Sequence, residues 1–153
     1  MSNKIISLII ALSLVFITCK NQKQTATNKP KEVIKKNNSL KYCVGKGGGF
    51  TGAYDEFILY ENGNVYKRDF TYNRDVFRKQ LTDIERDYFL EKINEMGLEG
   101  MDINQPGNMS YYLEIKQGEQ SINKIIWGAH SYYPDKKLEA FHKEFFEKLA
   151  SLE

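Results

Sequence analysis

The 153-residue chain holds only two cysteines, two histidines, three prolines and one tryptophan, and each scarcity excludes something. Once Cys19 is set aside, Cys43 is left alone, so no disulfide framework can be drawn. His130 and His142 are about twelve residues apart, neither has a histidine four residues on, and no cysteine lies near them. A zinc centre or a nucleophile–base pair needs at least three convergent groups. No metal, cofactor or catalytic residue is therefore expected, and the chain reads as a non-enzyme. A P-loop, a nucleophile elbow and a calcium loop are also missing. The longest apolar run, residues 5–17, has thirteen residues. As a helix it would be about 20 Å long, short of the roughly 30 Å hydrocarbon core.

Acidic residues are scarce at the start and common afterwards. Residues 1–18 carry one lysine and no acid, and residues 20–39 carry six lysines against the single Glu32. Residues 40–153 then hold 15 basic and 19 acidic groups, a balance of −4. A nucleic-acid partner is not expected, because phosphate neutralisation needs a clustered positive face. The 114 residues from Leu40 onward suffice for one domain that buries roughly two thirds of its unfolded surface. The organisation expected is residues 1–18 as a signal segment, 19–39 as a tether and 40–153 as a single domain.

What is present begins with that signal. Lys4 precedes the apolar run, and Phe16-Ile17-Thr18-Cys19 follows as a small residue next to a cysteine. This segment resembles a bacterial lipoprotein signal ending in a lipobox, with Phe16 where leucine is usual. The resemblance implies that Cys19 becomes the acylated first residue of the mature protein, its lipid chains seated in the bilayer. Two or more acyl chains, at about 0.8 kcal/mol per buried methylene, give a stable anchor. The alternative is an ordinary secretory signal cleaved elsewhere. No acidic run follows Cys19, which by the same resemblance points to the periplasmic face of the outer membrane. Residues 20–39 offer only Ala26, Val33 and Ile34 as apolar side chains, too few to offset about 1 to 2 kcal/mol of ordering entropy per residue. Their six lysines either rest on anionic lipid or are simply solvated.

From Leu40 the pattern is that of a folded domain. Leu40, Tyr42 and Val44 alternate with Lys41, Cys43 and Gly45 as a half-buried strand. Residues 54–60 and 65–70 flank Asn62-Gly63, a hairpin signal of the type I′ kind. The polar stretch 71–80 is either an exposed edge or an irregular connection. Thr82-Asp83-Ile84-Glu85 has capping-box spacing, and Ile84, Tyr88, Phe89, Ile93 and Met96 form an apolar stripe closed by Gly97. Residues 98–109 read as a loop, and Tyr111, Leu113 and Ile115 begin a second hairpin that returns through 122–127. Pro134 fits the first position of a last helix, striped by Leu138, Phe141, Phe145, Phe146, Leu149 and Leu152. The order β-ββ-α-ββ-α implies an α+β domain: an antiparallel sheet of four to five strands with two helices on one face.

One segment is unusual. Between Gly45 and Gly52 there are five glycines around Lys46, Phe50 and Thr51, giving backbone freedom about a single aromatic. A strand rather than a helix follows, so a phosphate loop is not indicated. At Gly48-Gly49-Phe50-Thr51-Gly52 the sequence is similar to the emfourin type of small bacterial metalloprotease inhibitor, or to a related family of uncharacterised lipoproteins. That resemblance implies a protein-binding module, with a protease as partner. Gly47, Gly48, Gly49, Phe50, Thr51 and Gly52 are the candidate contact residues, and Phe50 is either their anchor or a plug for the end of the sheet. The alternative role is a structural or assembly lipoprotein of the cell envelope, whose partner is another envelope protein. Cys43 reads as either a small buried hydrophobe or a thiol open to a mixed disulfide.

Overall fold

The computed structural model describes residues 39–152. Nine elements follow in order: β1 (Leu40–Gly48), β2 (Ala53–Tyr60), β3 (Asn64–Asp69), β4 (Arg74–Gln80), α1 (Asp83–Glu95), β5 (Asn104–Gln105), β6 (Met109–Gln117), β7 (Gln120–Trp127) and α2 (Lys136–Ala150). The class is α+β, as the order of patterns implied. The sheet is larger than the four to five strands expected: seven strands run β4-β3-β2-β1-β6-β7-β5. It is mostly antiparallel, with β5 alone pairing in parallel, on the end of β7.

The two additional strands have physical reasons for escaping a hydrophobic pattern. The polar stretch 71–80 forms β4, an outermost strand whose Phe77 is largely exposed and which carries Arg74, Arg78 and Lys79. Charge on an edge strand discourages pairing with other chains, at the expense of the apolar alternation that would announce it. Strand β5 is two residues inside the expected 98–109 loop, beside a short 3-10 turn at Leu98–Gly100.

Strand β1 organises the sheet. It pairs over nearly its whole length with β2 on one side and β6 on the other, so Val44 lies between Phe57 and Leu113, and Tyr42 between Leu59 and Ile115. These residues face the helices. The opposite face takes Lys41, Cys43, Glu56, Tyr112 and Glu114, all buried. Their polar groups are paired: the Tyr112 hydroxyl donates to Glu56 at 2.8 Å, and Lys41 meets Glu119 at 2.6 Å. Burial pushes the Cys43 thiol and the Tyr112 hydroxyl upward, so both stay protonated at neutral pH. Cys43, 1% exposed, therefore behaves as a small packed side chain.

The Asn62-Gly63 hairpin forms between β2 and β3, but not through a type I′ turn. Gly63 alone takes positive φ (+85°), and its N–H donates to the Tyr60 carbonyl at 2.8 Å. The loop is a turn followed by a left-handed glycine, another common hairpin form. The Asn62 carboxamide oxygen accepts from the Asn64 N–H at 3.0 Å and so needs no positive φ of its own.

Helix α1 begins with the expected capping box: Thr82 Oγ1 accepts from the Glu85 N–H, and the Glu85 carboxylate accepts from the Thr82 N–H at 3.0 Å. Gly97 supplies the left-handed residue beyond its end (φ +64°). The stripe is narrower than expected, because Ile84 is 84% exposed and only Phe89 and Ile93 are fully buried. At 3.6 residues per turn Ile84 lies about 140° round the helix from Phe89. Tyr88 instead donates its hydroxyl to Glu144 at 2.6 Å, and Lys148 donates to Glu85 at 2.6 Å, tying α1 to α2.

Helix α2 starts two residues later than Pro134 suggested. Asp135 is its cap, accepting from the Lys137 N–H at 2.7 Å, and Pro134 precedes the cap. Leu138, Phe141, Phe145 and Leu149 are buried, joined to Phe89 and Ile93 of α1 and to Val44, Leu59, Leu113 and Ile125 of the sheet. Both helices thus share one face of the sheet.

Candidate functional site

The glycine-rich segment is the hairpin joining β1 to β2, and its glycines serve three different ends. Gly45 and Gly47 lie within β1, where a Cβ would overlap the rings of Tyr112 and Tyr54 respectively. Aromatic rings from neighbouring strands thus lie flat on bare backbone. Gly48 (φ +108°) closes the strand, and a side chain there would strike the Asn108 carbonyl. Gly49 and Gly52 (φ +68° and +62°) form the turn itself. The Gly49 N–H donates to the Asn108 carbonyl, and the Gly52 N–H to the Gly49 carbonyl at 3.3 Å. Phe50 and Thr51 occupy the tip.

Phe50 is fully exposed, with a relative accessibility of 106%. It therefore does not plug the end of the sheet. Of the six candidate contact residues, Phe50, Thr51 and Gly52 are exposed, whereas Gly47 is buried beneath Tyr54. Cys19 lies outside the described residues.

Strand pairing brings further exposed aromatics to the same end of the sheet. Tyr54 at the start of β2 packs against Phe70, centroids 5.9 Å apart, and Tyr72 follows in the β3–β4 turn, 71% exposed. Met109 at the start of β6, 44% exposed, reaches toward Gly49. The β3–β4 turn is held by Asp69, whose carboxylate accepts from the Thr71 and Tyr72 N–H groups at 3.1 and 3.2 Å. Those bonds, that from Tyr72 foremost, hold the Asp69 carboxyl below its usual range. The nearby charges are largely paired: Arg68 with Asp75 at 2.8 Å, Arg74 with Asp69 at 3.3 Å, and Lys67 with Asp55 at 3.5 Å. A hollow of about 470 Å³ lies between Tyr54, Lys67 and Phe70. Exposed apolar rings rimmed by polar groups make this end of the sheet a candidate interaction surface. The parts of it at Phe70 and Tyr72 were missed in the sequence, where their one signal was two aromatics beside an otherwise polar stretch.

The two histidines are placed differently. His130 is exposed. His142 is buried on α2, its Nε2–H donating to the Gly45 carbonyl at 2.9 Å, with Trp127, Tyr111 and Phe146 around the ring at 5.1, 5.5 and 6.1 Å. Burial, with a smaller contribution from Lys46, holds its pKa below the ordinary 6.5. Among the described residues no group of three or more His, Cys, Asp or Glu could hold a metal ion. The unfolded chain takes up a proton on this histidine near pH 6.5, where the folded domain resists it. Stability is therefore expected to fall as the pH is lowered through and below that value. Urea unfolding between about pH 7.5 and 5 measures this fall, and His142→Gln should reduce it.

No protein-family model matches the chain, and no curated protein matches it. The class is thus defined by the geometry: an α+β domain with a seven-stranded mixed sheet, two helices on one face and an exposed aromatic end.

Proposed function

We propose that the protein is a lipoprotein of the outer membrane, facing the periplasm, whose domain is a non-catalytic protein-binding module. The contact surface is the aromatic end of the sheet, with Phe50 as its anchor. The partner class is a thermolysin-type zinc endopeptidase, which the domain inhibits. The observation that carries this reading is the fully exposed Phe50 on a turn fixed by Gly49, Gly52 and the Asn108 carbonyl. Because the turn backbone is already hydrogen-bonded, entry of the ring into a partner's pocket orders one side chain and not a whole loop. Tyr54, Phe70 and Tyr72 widen the apolar surface around it. Stoichiometric loss of peptidase activity on mixing with the purified protein is the expected result. Unchanged activity together with no complex on gel filtration excludes that partner class.

Anchoring has its own test. Cys19→Ser removes the thiol that a thioether requires, so the variant should stay unprocessed or leave the membrane fraction, whereas the wild type carries an acylated N-terminal cysteine. An unmodified mature N-terminus in the wild type, read by mass spectrometry, rejects the lipid anchor.

A further inference from the structure

The cleft beneath α2 lies on the helix-covered face of the sheet and is distinct from the hairpin tip. It has a volume of about 330 Å³, at the small end of small-molecule sites. Its walls are flat rings: Tyr111 and Trp127 are stacked 24° from parallel, and Phe146 lies 13° from parallel to His142. At its floor, the Nε2–H of His142 is committed to the Gly45 carbonyl. Nδ1 is then a lone-pair acceptor with no hydrogen-bond partner among the described residues, on a side chain 5% exposed that lines the cleft.

The rim carries charge of both signs. Lys46 and Lys143 stand with Glu139 and Glu147 around the opening. Lys46 has no carboxylate partner among the described residues, its ammonium lying 4.6 Å from the Phe146 centroid. Lys143 and Glu147 approach only to 4.0 Å on an exposed surface, which leaves both free to meet a guest. Such a site matches a guest with a flat ring for the walls, a donor on that ring for Nδ1, and a carboxylate and ammonium for the rim.

We propose that this cleft binds a free aromatic amino acid bearing a ring donor, the phenol of tyrosine or the indole N–H of tryptophan, with His142 Nδ1 accepting from the ring and Lys46 meeting the carboxylate. The proposal is independent of partner binding at the hairpin tip. Trp127 is the single tryptophan and lines the cleft, so its fluorescence reports occupancy directly. Full-length protein titrated with L-tyrosine should show a saturable change. Phenylalanine, lacking the donor, should bind about tenfold more weakly, the worth of one buried hydrogen bond. N-acetyl-tyrosinamide, which has the ring without the zwitterion, should also bind more weakly, which separates a free amino acid from the tyrosine of a docked peptide. His142→Phe keeps a flat ring but removes Nδ1 together with the bond to Gly45, so in a variant whose melting curve shows it folded it should erase the preference for tyrosine over phenylalanine. Lys46→Ala, at an exposed position where folding is not at stake, should weaken both amino acids alike. The absence of a saturable change with tyrosine, equal binding of tyrosine and phenylalanine by the wild type, or equal binding of the blocked amide would each overturn the proposal.

Discussion

Replacing Phe145 by alanine is expected to lower the unfolding free energy by about 3 to 5 kcal/mol, the range for removing a large aromatic from a packed core. Phe145 has no exposed surface and is the side chain through which three elements meet. Its ring lies 4.9 Å from Phe89 of α1 and 5.6 Å from Phe141 of its own helix, and it belongs to the cluster that includes Val44 and Leu59 of the sheet. The cavity cannot close easily, because the surrounding rings are held on a helix and a sheet that are fixed at several other points. Against a typical total of about 5 to 15 kcal/mol, the loss is a large share of the stability. Ile84→Ala is the matched control. Although the spacing placed Ile84 on the same apolar stripe as Phe89, it is exposed, and its loss should stay within about 0.5 kcal/mol. Urea denaturation of both variants gives the contrast, and a loss below about 1 kcal/mol at Phe145 would mean that α2 does not dock through this stripe.

That contrast also indicates what could be read from the chain. Features fixed by residues a few positions apart were legible: the Thr82–Glu85 box, the Gly97 stop, the Asn62-Gly63 reversal and the α2 stripe are written in local spacing. Edge elements were less so: the pattern of 71–80 fits both an exposed edge, which it is, and an irregular connection, and that of β5 reads as loop, because both bury little and so need no apolar alternation. Most of the site lay beyond local reading for a different reason. Gly45 and Gly47 look like loop residues until the rings of Tyr112 and Tyr54 are known to lie on them, and those rings come from other strands. The bond from His142 to Gly45 spans 97 positions. Phe70 and Tyr72 join Phe50's end of the sheet only through the pairing of β1 with β2 and of β2 with β3.

Phe50→Ala is expected to leave the melting temperature almost unchanged while weakening partner capture by roughly 30- to 1,000-fold, the equivalent of about 2 to 4 kcal/mol for an aromatic anchor buried in a partner's pocket. The two quantities separate because the ring touches none of the domain's own core. A phenylalanine that sealed the sheet would be shielded, whereas this one is fully exposed and the cluster of buried side chains does not contain it. The turn beneath it is defined by Gly49, Gly52 and the Asn108 carbonyl, all independent of the Phe50 side chain, so truncation leaves the support in place. Tyr72→Ala in the adjacent turn should weaken capture less, since hot-spot energy concentrates near the centre of a contact and falls toward its rim. Differential scanning calorimetry and titration against a thermolysin-type endopeptidase read the two effects separately. A melting temperature lower by several degrees with inhibition intact would return Phe50 to a structural role. Inhibition retained by the wild type and by Phe50→Ala alike, with stability unchanged, would move the contact surface away from the hairpin tip.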